Sequence, residues 1–214
     1  MNLDKNSLLL YAVTDSHWTS EEKTLISQVK DAINGGITFL QLREKELSYD
    51  EFLKEAKEIK KLTDEANIPF VINDNVKLAL ECNADGVHVG QNDMKAADVR
   101  ALIGKDKILG VSAHTVEEAI TAEKNGADYL GVGAVFSTST KKDATSVSFD
   151  LLKKICNSVA IPVVAIGGIT KENIYELKGS NINGVAVVSA IFSESNITEA
   201  TKNLKNLSLN ITIE

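Results

Sequence analysis

Residues 116–135 read VEEAITAEKNGADYLGVGAV, and the fold follows from the three signals they hold in order. Val116–Lys124 spaces its apolar positions at helical intervals on an otherwise charged face,. Asn125-Gly126-Ala127-Asp128 then stops the helix, because Asn and Gly tolerate the left-handed backbone that closes one,. Tyr129–Val135 follows at once as an apolar, β-rich run,. Helix, stop and strand recur along the chain: Asn34-Gly35-Gly36, Asn83-Ala84-Asp85-Gly86 and Asn183-Gly184 each lead into a similar run.

Counted from the amino terminus, the apolar runs are Leu8–Thr14, Ile37–Leu42, Phe70–Ile72, Gly86–Val89, Lys107–Val111, Tyr129–Val135, Val163–Ile166 and Val185–Val188. Stretches of helical spacing lie between them, clearest in Tyr49–Ala66 with Phe52, Leu53, Ala56, Ile59 and Leu62 on one face. Strands alternating with helices imply parallel βα units covered on both sides. The only prolines, Pro69 and Pro162, stand at strand entrances, where a missing N–H does least harm,. Eight units in 214 residues leave about 27 residues each, enough for a strand, a helix and two short loops,. The expected fold is α/β, a single (β/α)8 TIM barrel forming one domain over 1–214; the competitor is an open doubly wound sheet, which more often has fewer strands.

Composition narrows the function classes. With 23 Lys and Arg against 30 Asp and Glu, the net charge of −7 argues against a nucleic-acid partner, which calls for a basic face,. No apolar run approaches the length that spans a bilayer, and MNLDKNS lacks the layout of a signal peptide,. Cys82 and Cys156 fit no metal spacing,. The expectation is a cytoplasmic protein with two free structural thiols, no membrane association and small-molecule substrates.

In an eight-fold barrel the active site forms where the strands end, so the residues just after each run carry the chemistry. After the second come Gln41-Leu42-Arg43-Glu44-Lys45, whose alternation puts Gln41, Arg43 and Lys45 on one side, a set suited to phosphate or diphosphate,. Asn73-Asp74-Asn75 follows the third and Gly90-Gln91-Asn92-Asp93 the fourth; Asp74 and Asp93 converging on one point would suit Mg2+ bridging substrate phosphates, with a helix N-cap as the alternative for Asp74,. The sixth leads into Ser137-Thr138-Ser139-Thr140-Lys141, a hydroxyl-rich loop read as a lid or as plain surface,. Gly167-Gly168 and Val188-Ser189 end the seventh and eighth, the usual phosphate cradle of this barrel,. His17, His88 and His114 have no identifiable carboxylate partner and read as structural or pocket-wall residues; Tyr11 and Trp18 carry no signal.

Taken in order, QLREK at 41–45, IND at 72–74, GVHVGQND at 86–93, GVSAHT at 110–115, YLGVGAVFSTSTKKDA at 129–144, PVVAIGGI at 162–169 and GVAVVSAIF at 184–192 resemble the thiamine-phosphate synthase family over most of the chain. The resemblance implies a transferase that joins 4-amino-5-hydroxymethyl-2-methylpyrimidine diphosphate to 4-methyl-5-(2-phosphoethyl)thiazole, releasing diphosphate through a dissociative step assisted by Mg2+. It assigns Gln41, Arg43, Lys45 and Asn73 to the pyrimidine diphosphate, within the substrate segment Gln41–Lys45 that includes Leu42 and Glu44. Asp74 and Asp93 fall to the metal and Ser112 to the pyrimidine. Thr138, Ser139 and Thr140 belong to the thiazole side, Lys141 to the diphosphate, and Gly167, Gly168, Val188 and Ser189 to the second phosphate; Arg43, Lys45, Lys141 and Ser112 form the expected catalytic set.

The family often reads GPIFPT where Gly133-Ala134-Val135-Phe136-Ser137-Thr138 stands here, and losing two prolines is expected to loosen the lid entrance,. The rival readings are a thiazole tautomerase-like isomerase without a metal, and a non-catalytic relative that binds thiamine phosphates. A homo-oligomer is compatible with everything above. The tail Asn206–Glu214 alternates Leu207, Leu209, Ile211 and Ile213, as an edge strand or a packing face would.

Overall fold

The computed structural model describes residues 3–138 and 146–212. Eight parallel strands close into a barrel in sequence order: β1 Leu10–Val13, β2 Phe39–Leu42, β3 Phe70–Asn73, β4 Gly86–Val89, β5 Ile108–Ala113, β6 Tyr129–Val132, β7 Val163–Ile166 and β8 Gly184–Val187. Register runs continuously round the ring and closes where β1 meets β8, with Tyr11 opposite Ala186. The outer helices are α1 Leu25–Gly35, α2 Tyr49–Ala66, α3 Val76–Glu81, α4 Ala96–Ile103, α5 Val116–Lys124, α6 Phe149–Ser158, α7 Ser189–Phe192 and α8 Ile197–Leu209. This is the (β/α)8 barrel expected from the alternation. Among the described residues no helix is long and apolar enough to cross a membrane.

Local chemistry sets the element ends. Thr24, Ser48, Asn75, Thr115, Ser148 and Asn196 each cap a helix through the side chain,. Ser48 and Glu51 add a reciprocal capping box,. The stop motifs turn out to have a second task. Asp85 accepts from the Phe70 N–H at 2.9 Å, Asp128 from Leu109 at 2.7 Å and Asn183 from Val163 at 2.9 Å. Each stop residue therefore satisfies a backbone donor at the start of the neighbouring strand, which stitches the bottom of the barrel.

Side chains fill two apolar layers. One lies between strands and helices and includes Leu40, Ile72, Val87, Leu130, Leu152 and Leu204. The other fills the barrel itself with Tyr11, Phe39, Val71, Ile108, Tyr129 and Val164,. Cys82 and Cys156 are free thiols; burial raises the Cys82 pKa and pushes that of Cys156 up to about 12, so both stay protonated.

One expectation is corrected and one open choice is narrowed. The seventh unit has only a 3-10 turn, Ile174–Leu177, while β8 is followed by two helices, short α7 and then α8. Of the tail, Asn206–Leu209 closes α8, which buries Ile197, Thr201, Leu204 and Ser208, with Ile211 just beyond: it is a packing face and not an edge strand, and Ile213 lies outside the described residues. Those positions step by four and three, the spacing of one helix face. The alternation at Leu207 and Leu209 was coincidental, and Leu209 is exposed.

Candidate active site

The carboxyl ends of the strands surround one cleft of about 1260 Å³, including its open mouth. Its walls include Gln41, Arg43, Lys45, Asn73, Asp74, Asp93, Ser112, Thr138, Gly167, Gly168, Val188 and Ser189. The Arg43 backbone N–H donates to Thr14 Oγ1 at 3.0 Å, tying the loop after β2 to the end of β1. Its guanidinium meets Asp15 at 3.3 Å, so the cation is oriented by a carboxylate before any ligand arrives. Leu42 is fully buried in the outer core. Glu44 also turns away from the cleft and buries both carboxyl oxygens; any contact these two make with a ligand falls to their backbone.

Asp74 sits in a left-handed conformation, φ 61°, with its N–H donating to the His88 carbonyl at 2.8 Å. The following helix is capped by Asn75, so Asp74 is not the N-cap and its carboxylate is left for the cleft. Asn73 donates to it at 2.6 Å, and the Asp93 carboxyl lies against it. Burial first, and Asp93 second, push the Asp74 pKa up to about 6,. Asp93 is itself held by the Gly90 N–H at 2.8 Å. Two adjoining carboxylates of this kind repel each other, and a divalent cation relieves them. Among the described residues no group of three or more His, Cys, Asp or Glu gathers as a metal cage. Mg2+ does not require one: it commonly takes one or two carboxylates and completes its shell with water and substrate phosphate. The donor set fits the ion.

Across the ring, β7 opens into Gly167 and Gly168, both at positive φ (101° and 66°). A Cβ on Gly168 would overlap the Ser137 carbonyl, so this approach demands glycine,. Asn173 fixes the turn by donating to the Gly168 carbonyl at 2.9 Å. No side chain caps α7, which leaves first-turn N–H groups beside Val188 and Ser189 open to an anion,. The segment after β6 is anchored without prolines: Val135 donates to Ile166 and Phe136 to Gly167, each at 3.0 Å, while the Ala134 carbonyl accepts from Val147 at 2.8 Å. Ser139, Thr140 and Lys141 lie outside the described residues.

Comparison with known proteins decides the family. The family model described as thiamine monophosphate synthase matches residues 10–191. The chain belongs to this family. A thiamine-phosphate synthase of Clostridium beijerinckii is 55% identical over 197 residues, 92% of this chain and 94% of that one. One from Ruminiclostridium cellulolyticum is 54% identical over 201 residues, 94% and 95% of the two chains. Among solved structures, thiamine phosphate pyrophosphorylase from Pyrococcus furiosus superposes with a TM-score of 0.89 at 38% identity, covering 97% of this chain and 98% of that one. Relatives with these names are transferases, and the chain is an enzyme of that class.

As a member of this family, the chain brings its named motif residues to one cleft from seven strands, β2 to β8, with Leu42 and Glu44 the exceptions among the described residues. The sequence reading missed two carboxylates. Asp15 pairs with Arg43, and Glu118 holds His114 on the cleft wall, a place that reading allowed it. His88, expected as a wall residue, also bonds Ser112 Oγ through Nε2 at 3.0 Å. Alternation along β4 was the available signal: Val87 and Val89 pack outward, which leaves His88 facing inward,.

Proposed function

We propose that this one domain, residues 1–214, is a thiamine-phosphate synthase joining 4-amino-5-hydroxymethyl-2-methylpyrimidine diphosphate to 4-methyl-5-(2-phosphoethyl)thiazole. The observation that carries the reading is a single cleft with two unlike anion sites at opposite points of the ring. At β2–β4, Arg43 and Lys45 stand with two carboxylates; at β7–β8 a glycine turn and an uncapped helix start offer backbone donors. The first suits a metal-bound diphosphate, the second a phosphate monoester. An isomerase acting on the thiazole phosphate alone would have no use for the first.

Asp74 and Asp93 would hold Mg2+, which when bound supplies positive charge to the leaving diphosphate. The rest falls to the chain's own groups. Arg43 and Lys45 bind the diphosphate oxygens, and we assign Lys141 the same task. Gln41 and Ser112 orient the pyrimidine. The methylene C–O bond breaks with its electron pair leaving on diphosphate, and the thiazole nitrogen lone pair forms the new C–N bond. No proton is transferred, so the site needs no general base; His114, paired with Glu118 at 3.1 Å on the cleft wall, has no proton-transfer role in this reaction. Glycine-bound thiazole phosphate and the Ser137–Lys141 segment would keep water from the cationic carbon.

The test is incubation with both substrates and Mg2+, scored for thiamine phosphate by mass spectrometry. Product that depends on both substrates and vanishes in chelator supports the reading. Tight thiazole phosphate binding with no product overturns it.

A further inference from the structure

A polar chain crosses the otherwise apolar barrel. Gln41 Nε2 donates to the Tyr11 hydroxyl, which lies 2.8 Å from the Tyr129 hydroxyl. Tyr129 is 2.9 Å from His88 Nδ1, and His88 Nε2 is 3.0 Å from Ser112 Oγ at the cleft wall. Tyr129 is fully buried and does not line the cleft. The space is provided by two glycines on the neighbouring strands. A Cβ on Gly110 would overlap the Tyr129 hydroxyl and the His88 ring, and one on Gly131 would press on the ring edge at 3.1 Å.

The direction of the protons follows from one end. Gln41 Nε2 can only donate, so Tyr11 accepts there and has a single proton of its own. Gln41 and Tyr129 are the hydrogen-bond partners of the Tyr11 hydroxyl among the described residues. Were Tyr129 to donate to Tyr11, the Tyr11 proton would be stranded in the barrel, the costly case of a buried donor without an acceptor. Tyr11 therefore donates to Tyr129 and Tyr129 to His88 Nδ1. The ring then carries its proton on Nε2 and donates to Ser112. Burial holds both phenols well above their ordinary pKa, so both keep the protons this arrangement uses.

We propose that Tyr129 and His88 are positioning residues whose directional hydrogen bonds leave the Ser112 proton free to point into the cleft as a donor. The consequence, which rests on the function proposed above, is that Ser112 selects a heteroaromatic ring presenting a bare acceptor nitrogen. A ring with a C–H at that place would leave the serine proton without a partner.

Two measurements test this. In protein carrying 15N-labelled histidine, long-range 1H–15N correlations report the tautomer of each of the three histidines, with His88 assigned from the His88→Asn spectrum. Protonated Nε2 with bare Nδ1 at neutral pH is expected; protonated Nδ1 overturns the proposal. That result is independent of turnover, so it stands or falls apart from the substrate assignment. In Tyr129→Phe, which leaves the cleft wall untouched, the His88 signal should become a mixture of tautomers. kcat/KM for the pyrimidine diphosphate should fall about tenfold, the worth of one oriented hydrogen bond, with the KM for the thiazole phosphate within about twofold of wild type. A retained Nε2–H tautomer with unchanged kinetics, or an equal loss for both substrates, overturns the positioning role.

Discussion

Substituting Glu55 on α2 tests the electrostatics around Glu44 in the loop after β2. Its Oε2 is buried with no hydrogen-bond partner, and both oxygens of Glu44 share that condition; the nearby Ser16 hydroxyl reaches normal geometry with neither. Burial first, then Glu44 and Glu58, push the Glu55 pKa from 4.5 up to about 7. Between those values the folded chain holds a proton that the unfolded chain has released. Unfolding free energy therefore falls as pH rises through this window, and the penalty is complete above it. The gap of about 2.5 units sets a ceiling near 3 kcal/mol; because Glu55 is only half-buried, solvent screening reduces this to about 1–2 kcal/mol. Glu55→Gln removes the titration. It should match the parent at pH 4.5 and exceed it at pH 8 by about 1–2 kcal/mol, roughly 3–6 °C in Tm for a chain of this size. Thermal melts of both proteins at the two pH values check it, and other titrations, Asp74 included, cancel in the difference. A variant less stable than the parent at pH 8, or offset equally at both pH values, would refute the reasoning.

Three further outcomes are expected. Asp74→Ala and Asp93→Ala should each abolish Mg2+-dependent coupling while leaving the melting curve near that of the parent; full activity of both in chelator would end the metal assignment. Gly168→Ala places a side chain at φ 66° and against the Ser137 carbonyl, so thiazole phosphate binding by calorimetry should weaken at least about tenfold, at a cost of about 1–2 kcal/mol for the backbone conformation. Arg100 binds the Gly104, Lys107 and Gly126 carbonyls and the Asp128 carboxylate; Arg100→Met should cost about 3–5 kcal/mol in urea unfolding, since it strands a partly buried carboxylate.

The barrel was legible because its signals are local. Gly86–Val89 and Val163–Ile166 match the observed strands to the residue, while Tyr129–Val135 overshoots β6: beyond Val132 the chain leaves the ring to bond the end of β7. Apolar character alone does not report such a departure. Helix ends were readable from Gly36 and Gly126, both left-handed. The tail left two readings open because a period of two and a helical period share positions over short stretches. Within the site, Arg43, Asp74 and Gly168 announced themselves by type and by place after a strand. The partnership of Tyr11 with Tyr129 did not, since 118 residues separate them and neither phenol is distinguishable in sequence from ordinary core filling. Likewise nothing at Asp15 marks it as the carboxylate that holds Arg43.

The interior thread has a consequence for how the molecule can be divided. Tyr11 and Gln41 come from β1 and β2, His88 from β4, and Ser112 and Tyr129 from β5 and β6. Neither half of the barrel owns a complete set: the first four strands alone would bury two phenol and imidazole faces with nothing to receive their protons, and the last four would strand Tyr129. Gene duplication of a half-barrel, or complementation between two fragments cut after β4, thus faces a polar mismatch at its seam that apolar packing cannot mend. The cleft exists only once the ring has closed.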